Sequence, residues 1–243
     1  MTRHVERAMG TVFSFDVRHD ADDAVARAVA WLHHVDAVFS TYRPGSAISR
    51  LARGELGVRG CPPEVARVLA LCAQAEQQTD GYFTTYPGGR LDPSGLVKGW
   101  AIEQASLLLT EAGAPRHCVN GGGDIQLGPD PGPWRIGIAH PLRPAAVCTV
   151  VTGHDLAIAT SGSAERGPHI LDPHTGLPAT ALLSITLVGP RLTTVDACAT
   201  AAFAMGEAAR DWVEESPGLE AFAVTANGRT WQTSGFAALT VRR

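Results

Sequence analysis

The sequence predicts an α+β fold: a single domain in which packed helices cover a mixed or antiparallel sheet. Segments with helical spacing and segments with alternating apolar residues occur without the regular strand–helix repeat of a parallel α/β sheet. The 243 residues are enough to bury one sizeable core. No repeat of fixed period and no low-complexity linker divides the chain, so we expect one domain over residues 1–243.

The first half of the chain predicts one strand followed by three helices. Apolar residues alternate with polar ones in Thr11–Val17, which is typical of a strand. Apolar residues at helical spacing predict an amphipathic helix between Val25 and Phe39. Pro62-Pro63 opens a second helix, and a third is expected from about Gly95 to Glu111.

The second half predicts mainly strands, with one further helix. That helix is expected over Thr193–Met205, with Thr193 or Thr194 as its cap. The tail, Ala221–Val241, predicts two or three antiparallel strands that turn at Asn227-Gly228. Further strands are predicted at His117–Asn120, Trp134–Ala139, Val147–Val151, Leu156–Thr160 and Ser184–Val188.

Composition argues against several classes of partner. The net charge is −4 and there is no long basic run, so neither nucleic acid nor an anionic membrane surface is expected as a partner. Five cysteines without metal-ligand spacing indicate reduced thiols in a reducing compartment. No stretch of about 18 apolar residues and no apolar leader in residues 1–10 is present, so we expect a cytoplasmic protein without a membrane anchor.

Lys98 is the only lysine of the chain, and it lies in a glycine-rich segment, Asp92–Gly99. Gly95 and Gly99 allow the backbone to come close to a ligand, and Lys98 would supply a positive charge to a phosphate or a hydrogen bond to a ring. The alternative is a capped turn with a solvated lysine.

Asp196 and Thr200 lie four residues apart in the last predicted helix, and therefore on one face. A carboxylate and a hydroxyl are hard oxygen ligands of the kind that Mg²⁺ prefers, with phosphates and water completing its shell. The alternative is that Asp196 only stabilises the helix dipole.

Two further segments contain candidate groups. The triple glycine Gly121–Gly123 follows a strand and would either cradle an anion or form a tight bend. His169 titrates near neutral pH and is either a base for a hydroxyl nucleophile or a structural histidine. Ser161 lacks the G-x-S-x-G context of a serine hydrolase, which argues against that class.

Taken together, these segments resemble the FAD:protein FMN transferase family, the ApbE family, in the same order over nearly the whole chain. The segments that carry the resemblance are Met9–Thr11, Phe39–Pro44 with Ser46–Leu51, Thr79–Phe83, Asp92–Gly99, Asn120–Ile125, Thr160–Gly162, His169–Gly176 and Asp196–Thr200.

The resemblance implies an ApbE-like, T-fold-like domain and Mg²⁺-dependent transfer of the FMN moiety of FAD to a threonine hydroxyl of an acceptor flavoprotein, with release of AMP. FAD is then a substrate and Mg²⁺ the cofactor. Catalytic roles would fall to His169, as the base, and to Asp196. Metal ligands would be Asp196, Thr200 and backbone oxygens of Gly95 and Ala199. Contacts with FAD would come from Met9, Tyr42, Gly81, Tyr82, Phe83, Asp92, Lys98 and Ile170.

Two positions depart from the family pattern, and two other functions stay open. Thr84 and Glu103 stand where the family has aspartate, and both are expected to flank the flavin site. With water in place of the threonine, the same residues would form an FAD pyrophosphatase that yields FMN and AMP. A non-catalytic FAD-binding protein is the second alternative.

Overall fold

A long antiparallel sheet forms the centre of the computed structural model, which describes residues 1–143, 145–163, 167 and 170–240. The strands are β1 (Thr2–Ala8), β2 (Thr11–Val17), β3 (His117–Gly121), β4 (Asp124–Leu127), β5 (Trp134–Ala139), β6 (Val147–Gly153), β7 (Ala157–Gly162), β8 (Leu182–Gly189), β9 (Glu220–Thr225) and β10 (Thr230–Gln232). Eight of them form one sheet in the order β1-β2-β3-β4-β7-β8-β9-β10, with every neighbouring pair antiparallel. Strands β5 and β6 form a separate two-stranded ribbon.

The α-helices are α1 (Asp22–Phe39), α2 (Ala47–Ala52), α3 (Pro63–Gln78), α4 (Ser94–Glu111), α5 (Leu192–Met205) and α6 (Ala209–Glu214). Short 3₁₀ turns occupy Val58–Gly60, Pro87–Gly89, Gly206–Ala208 and Phe236–Leu239. These elements form the single α+β domain with a mostly antiparallel sheet that the sequence predicts.

The helices pack on one face of the sheet. Helix α4 contacts both α1 and α5, and α5 lies on β7 and β8. Helix α5 is buried on nearly all sides, which explains why its sequence consists almost entirely of small and apolar residues. A second apolar cluster, which includes Trp134, Val151, Phe222 and Phe236, fills the space under the β5–β6 ribbon. The sheet therefore separates two apolar clusters.

Two strands, β1 and β4, were not predicted from the sequence, each for a local reason. Strand β1 lies at the edge of the sheet and carries charged residues along its exposed face, so its apolar alternation is weak. Strand β4 has only four residues and follows the triple glycine. Two-residue turns with positive φ form both hairpins: Met9-Gly10 (φ 51° and 71°) joins β1 to β2, and Gly122-Gly123 (φ 60° and 94°) joins β3 to β4.

The predicted cap of α5 is wrong. The helix begins at Leu192, the residue before it is Arg191, and neither Thr193 nor Thr194 caps it with a side-chain hydrogen bond. Side chains from two other elements bind its first N–H groups instead, as described below. The predicted turn at Asn227-Gly228 is confirmed, with Gly228 at φ 79° between β9 and β10.

All five cysteines are free thiols. Cys72 and Cys198 are buried, and burial raises the pKa of the Cys72 thiol to about 11 and that of Cys198 to about 12. Cys61, Cys118 and Cys148 are half-buried rather than fully enclosed. Within the described residues, no helix is both long and apolar enough to cross a membrane.

Candidate functional site

A cavity of about 1350 Å³ opens between the helical layer, the β3–β4 turn and the β5–β6 ribbon. Ligand pockets commonly measure roughly 300–1,000 Å³, so this cavity is large enough for an extended ligand such as a dinucleotide. All three tyrosines of the chain, Tyr42, Tyr82 and Tyr86, line it, and Tyr42 is 95% exposed at its mouth. Aromatic rings at a cavity wall favour a flat ring as ligand.

Most of the predicted site residues meet at this cavity, although they come from distant parts of the chain. The predicted residues that line it are Met9, Tyr42, Tyr82, Phe83, Asp92, Gly95, Lys98, Ile170, Asp196 and Thr200. His169 lies outside the described residues. Gly81 and Ala199 are absent from the cavity wall. Ala199 is fully buried inside the helical layer, so any ligand role would fall on its backbone oxygen.

Three charged side chains from three different elements meet beside the cavity, and two of them, Lys98 and Asp196, line it. The Lys98 ammonium on α4 forms an ion pair with the Oδ2 atom of Asp124 at the start of β4. Its Nζ atom lies 3.8 Å from Oδ1 of Asp196 on α5. Asp124 and Asp196 are only 1% and 5% exposed. Carboxylate oxygens such as these are also the ligands that Mg²⁺ prefers.

Each of the two carboxylates is also held by a backbone N–H group. The N–H of Thr160 donates to Oδ1 of Asp124 at 3.0 Å, and the N–H of Gly99 donates to Oδ2 of Asp196 at 2.9 Å. Hydrogen bonds from amides to carboxylates are charge-assisted and fix the orientation of the acids. Asp124 was not among the predicted site residues. The signal that could have identified it is its position directly after the glycine turn.

Gly99 is required by the close approach of α4 to α5. A Cβ atom at this position would lie 2.6 Å from the Leu192 carbonyl oxygen and 2.7 Å from Cβ of Asp196. Such distances do not occur between real side chains, so any larger residue would push the two helices apart. The glycine therefore lets the backbone of α4 reach the carboxylate of α5.

The triple glycine forms a tight bend at the cavity. Gly122 and Gly123 lie in the left-handed region, and the Asn120 side chain accepts a hydrogen bond of 3.0 Å from the Gly123 N–H. A Cβ on Gly122 would also lie 2.8 Å from Oγ1 of Thr11. Of the two interpretations of this segment, the tight bend is confirmed, and the bend places Asn120, Gly122 and Gly123 in the cavity wall.

A compact loop after Ile170 borders the cavity opposite α4. The Asp172 carboxylate accepts hydrogen bonds from the His174 N–H and from the Thr175 hydroxyl, both at 2.9 Å, and the bond from His174 lowers the pKa of Asp172. The His174 ring packs edge-on against Tyr82, with centroids 4.4 Å apart. A Cβ on Gly81 would lie 3.5 Å from Cε1 of His174, so this glycine is next to the loop.

The two departures from the family pattern have different positions. Thr84 lines the cavity, as expected. Glu103 does not line this cavity. Glu103 lines a smaller cavity of about 250 Å³ between α3, α4 and the start of α5. Its carboxylate accepts a hydrogen bond of 2.9 Å from the Thr193 N–H and pairs with Arg191.

The family model described as the ApbE family matches residues 9–89 and 85–223 of the chain. The FAD:protein FMN transferase of Rhodobacter capsulatus is 33% identical over 171 residues, which cover 62% of this chain and 32% of that protein. The FAD:protein FMN transferase of Treponema pallidum is 32% identical over 173 residues, which cover 61% and 47%. The matched region thus spans a third to a half of the length of these curated relatives.

Solved structures show the same fold. The ApbE protein of Thermotoga maritima superposes with a TM-score of 0.84 at 22% identity, covering 99% of both chains. The flavin transferase ApbE of Vibrio cholerae superposes with a TM-score of 0.82 at 21% identity, covering 98% of both chains. At this identity the likeness establishes the fold alone.

Proposed function

Because this chain belongs to the ApbE family, we propose that it is an FAD:protein FMN transferase. It would move the FMN moiety of FAD to a threonine hydroxyl of an acceptor flavoprotein and release AMP. The observation that carries the proposal is the ion pair of Lys98 with the buried Asp124, next to Asp196, where Lys98 and Asp196 line a dinucleotide-sized cavity. A pyrophosphate is the part of FAD that needs such a charged environment.

The residues present fit Mg²⁺ by their chemistry. The carboxylate of Asp196 and the hydroxyl of Thr200 line the cavity one helical turn apart, and both are hard oxygen donors. In the described part of the chain, no three His, Cys, Asp or Glu side chains cluster around a metal position. Backbone oxygens of Gly95 and Ala199 are the further protein ligands that we propose. Bound Mg²⁺ would neutralise charge on the pyrophosphate as its bond breaks.

The flavin end of FAD would be held by aromatic and apolar residues of the cavity. For FAD as a whole, the contacts that we propose are those of Met9, Tyr42, Gly81, Tyr82, Phe83, Asp92, Lys98 and Ile170. The positions of Tyr42 at the mouth and Tyr82 against the His174 loop support a stacked ring between them.

The chain's own residues would divide the reaction between them. The acceptor oxygen attacks the phosphorus of the FMN half, and the bond from that phosphorus to the oxygen of AMP breaks in line with it. The proton of the acceptor hydroxyl passes to His169, which we propose as the base. Lys98 would offset the negative charge that develops on the phosphates, and the acids that hold Lys98 keep it in place.

The test is intact mass spectrometry of an acceptor fragment. The purified protein is incubated with FAD, Mg²⁺ and a flavoprotein fragment that carries a candidate threonine, and the same fragment with valine in place of the threonine serves as control. A gain of one FMN on the threonine fragment alone, with AMP released, supports the transferase. Free FMN and AMP without a gain on any acceptor would identify the pyrophosphatase. Unchanged FAD in every sample would identify a binding protein.

A further inference from the structure

The N-terminus of α5 is capped by side chains from two other elements. Oε1 of Gln126, on β4, accepts a hydrogen bond of 3.0 Å from the Leu192 N–H. Oε2 of Glu103, on α4, accepts one of 2.9 Å from the Thr193 N–H. Helix α5 has no side-chain cap of its own, so these two contacts satisfy N–H groups that a first helical turn leaves without partners.

The two capping residues come from the same elements as the charged residues of the site. Lys98 and Glu103 both lie on α4, while Asp124 and Gln126 both lie on β4. The third charged residue, Asp196, lies on α5 just after the capped turn. Strand β4 and helix α4, which carry Asp124 and Lys98, therefore also bind the first turn of α5.

Helices α4 and α5 are joined by two polar contacts one turn apart. The Gly99 N–H binds the Asp196 carboxylate, and the Glu103 carboxylate binds the Thr193 N–H. Gly99 and Glu103 are four residues apart on α4, and Thr193 and Asp196 are three apart on α5. Such spacings place each pair on one face of its helix, so the two contacts fix both the separation and the rotation of α5.

We propose that Glu103 is a positioning residue that orients the Asp196 and Thr200 oxygens toward the cavity by holding the first turn of α5. The inference rests on the proposed function, because the cation site belongs to that function. Glu103 is 5% exposed, so its charge-assisted bond to Thr193 is poorly screened by water. Its negative charge also suits the N-terminus of a helix.

Arg191 supplies the matched control. Its Nε and Nη2 atoms lie 2.9 Å and 2.6 Å from Oε1 of Glu103, but its side chain is 65% exposed. An ion pair with an exposed side chain such as Arg191 contributes little to stability. The Thr193 N–H, in contrast, is buried together with the Glu103 carboxylate. If Glu103 positions α5 through its bond to Thr193, removal of the Arg191 side chain leaves α5 in the same position.

The test measures cation binding directly, without turnover. The variants Glu103→Gln, Glu103→Asp and Arg191→Gln are titrated with Mn²⁺, followed by the electron paramagnetic resonance signal of the free ion. FAD binding without metal is measured by flavin fluorescence, and unfolding by urea reports stability. Mn²⁺ is the probe because it shares the preference of Mg²⁺ for octahedral oxygen ligands.

We expect Glu103→Gln to raise the Kd for Mn²⁺ about tenfold, because the charged contact to Thr193 is lost. Glu103→Asp keeps the charge and is expected to restore most of the affinity, and Arg191→Gln is expected to change it less than about twofold. FAD binding without metal should stay within about twofold of that of the parent protein in all three variants.

The outcomes separate this inference from the proposed function. If Glu103→Gln lowers the urea midpoint but binds Mn²⁺ as the parent does, Glu103 is merely structural and the inference fails, while FMN transfer by the parent still supports the function. If Glu103→Gln weakens Mn²⁺ binding while the parent transfers no FMN, the inference stands and the function fails. A parent that binds no Mn²⁺ overturns the inference together with the cation site.

Discussion

The backbone N–H of Gly99 donates a hydrogen bond of 2.9 Å to Oδ2 of Asp196, so one helix holds the carboxylate of another without using a side chain. The contact exists because Gly99 has no Cβ where Asp196 and the Leu192 carbonyl oxygen lie. The same residue lies next to Lys98, whose ammonium pairs with Asp124 and approaches Asp196. Helix packing and site electrostatics therefore depend on one another at this point.

The first prediction concerns Gly99→Ala. The added Cβ would lie 2.6 Å from the Leu192 carbonyl oxygen, so α4 and α5 must separate. We expect a loss of about 1–3 kcal/mol in the free energy of unfolding, although alanine usually stabilises a helix relative to glycine. Urea denaturation measures this change in the free energy of unfolding. Gly57→Ala, where a Cβ meets open space, is the control, and equal stability of both variants would contradict the tight contact.

The second prediction concerns Asp196→Asn. Asparagine keeps an oxygen for the Gly99 N–H but removes the charge of the proposed Mg²⁺ ligand. We expect the protein to stay folded by circular dichroism and Mg²⁺-dependent FAD turnover to fall at least roughly 100-fold. Glu207→Gln, an exposed acid beyond α5, is the control. Full stimulation by Mg²⁺ in Asp196→Asn would refute its role as a ligand.

The third prediction concerns His169→Ala. If His169 is the base, the variant should transfer FMN to the acceptor threonine at least roughly 100-fold more slowly, because a positioned base contributes about 10²–10⁴-fold. FAD affinity, measured by flavin fluorescence, should stay nearly unchanged. An equally severe loss of FAD binding would show instead that His169 is a structural residue or a flavin contact.

The fourth prediction concerns Tyr82, whose ring lies against His174 at the cavity wall. Tyr82→Ala removes a stacking surface worth about 0.5–1.5 kcal/mol beyond buried area, so we expect FAD to bind roughly 2- to 10-fold more weakly. Tyr82→Phe keeps the ring and should bind FAD as the parent does. His174→Ala tests whether the loop contact, rather than the ring itself, matters. Unchanged affinity in Tyr82→Ala would exclude a flavin contact there.

The fifth prediction concerns the buried His117. Its Nδ1 donates to the Ala114 carbonyl oxygen at 2.7 Å, and in the neutral ring Nε2 accepts from the Ser106 hydroxyl at 2.7 Å. Burial lowers the pKa of His117 below its ordinary value of 6.5. Below that pH the unfolded chain binds more protons than the folded one. The contribution of His117 is therefore complete above pH 6.5 and is lost as the pH falls through the folded pKa.

Urea midpoints measured between about pH 5 and pH 8 test this prediction. His117→Gln should be less stable at neutral pH, and its midpoint should fall less steeply on acidification than that of the parent. The exposed His154→Gln should keep the slope of the parent. If His117→Gln and the parent lose stability in parallel toward low pH, the buried ring is not the cause.

The sequence by itself determined the fold class, most of the elements and the segments that form the cavity wall. Strand β2 has apolar residues at every second position and helix α1 has them at helical spacing, because each element buries one face. Both elements are therefore readable from local sequence, and both predictions are confirmed. Strands β1 and β4 lack that signal, because one is a charged edge strand and the other has four residues. The order of the motifs predicted Lys98, Asp196 and Thr200 as site residues, and all three line the cavity.

Only the tertiary structure decided which side chains act together. Asp124 joins Lys98 and Asp196 although the three lie on β4, α4 and α5, and no local period relates them. Glu103 does not line the cavity but binds the first turn of α5, whereas Gly81 lies next to the His174 ring. Local sequence sets which backbone positions are helical or extended, but the meeting of distant side chains depends on how those elements pack. That packing brings the backbone of Gly99, one lysine and two acids into contact beside the cavity.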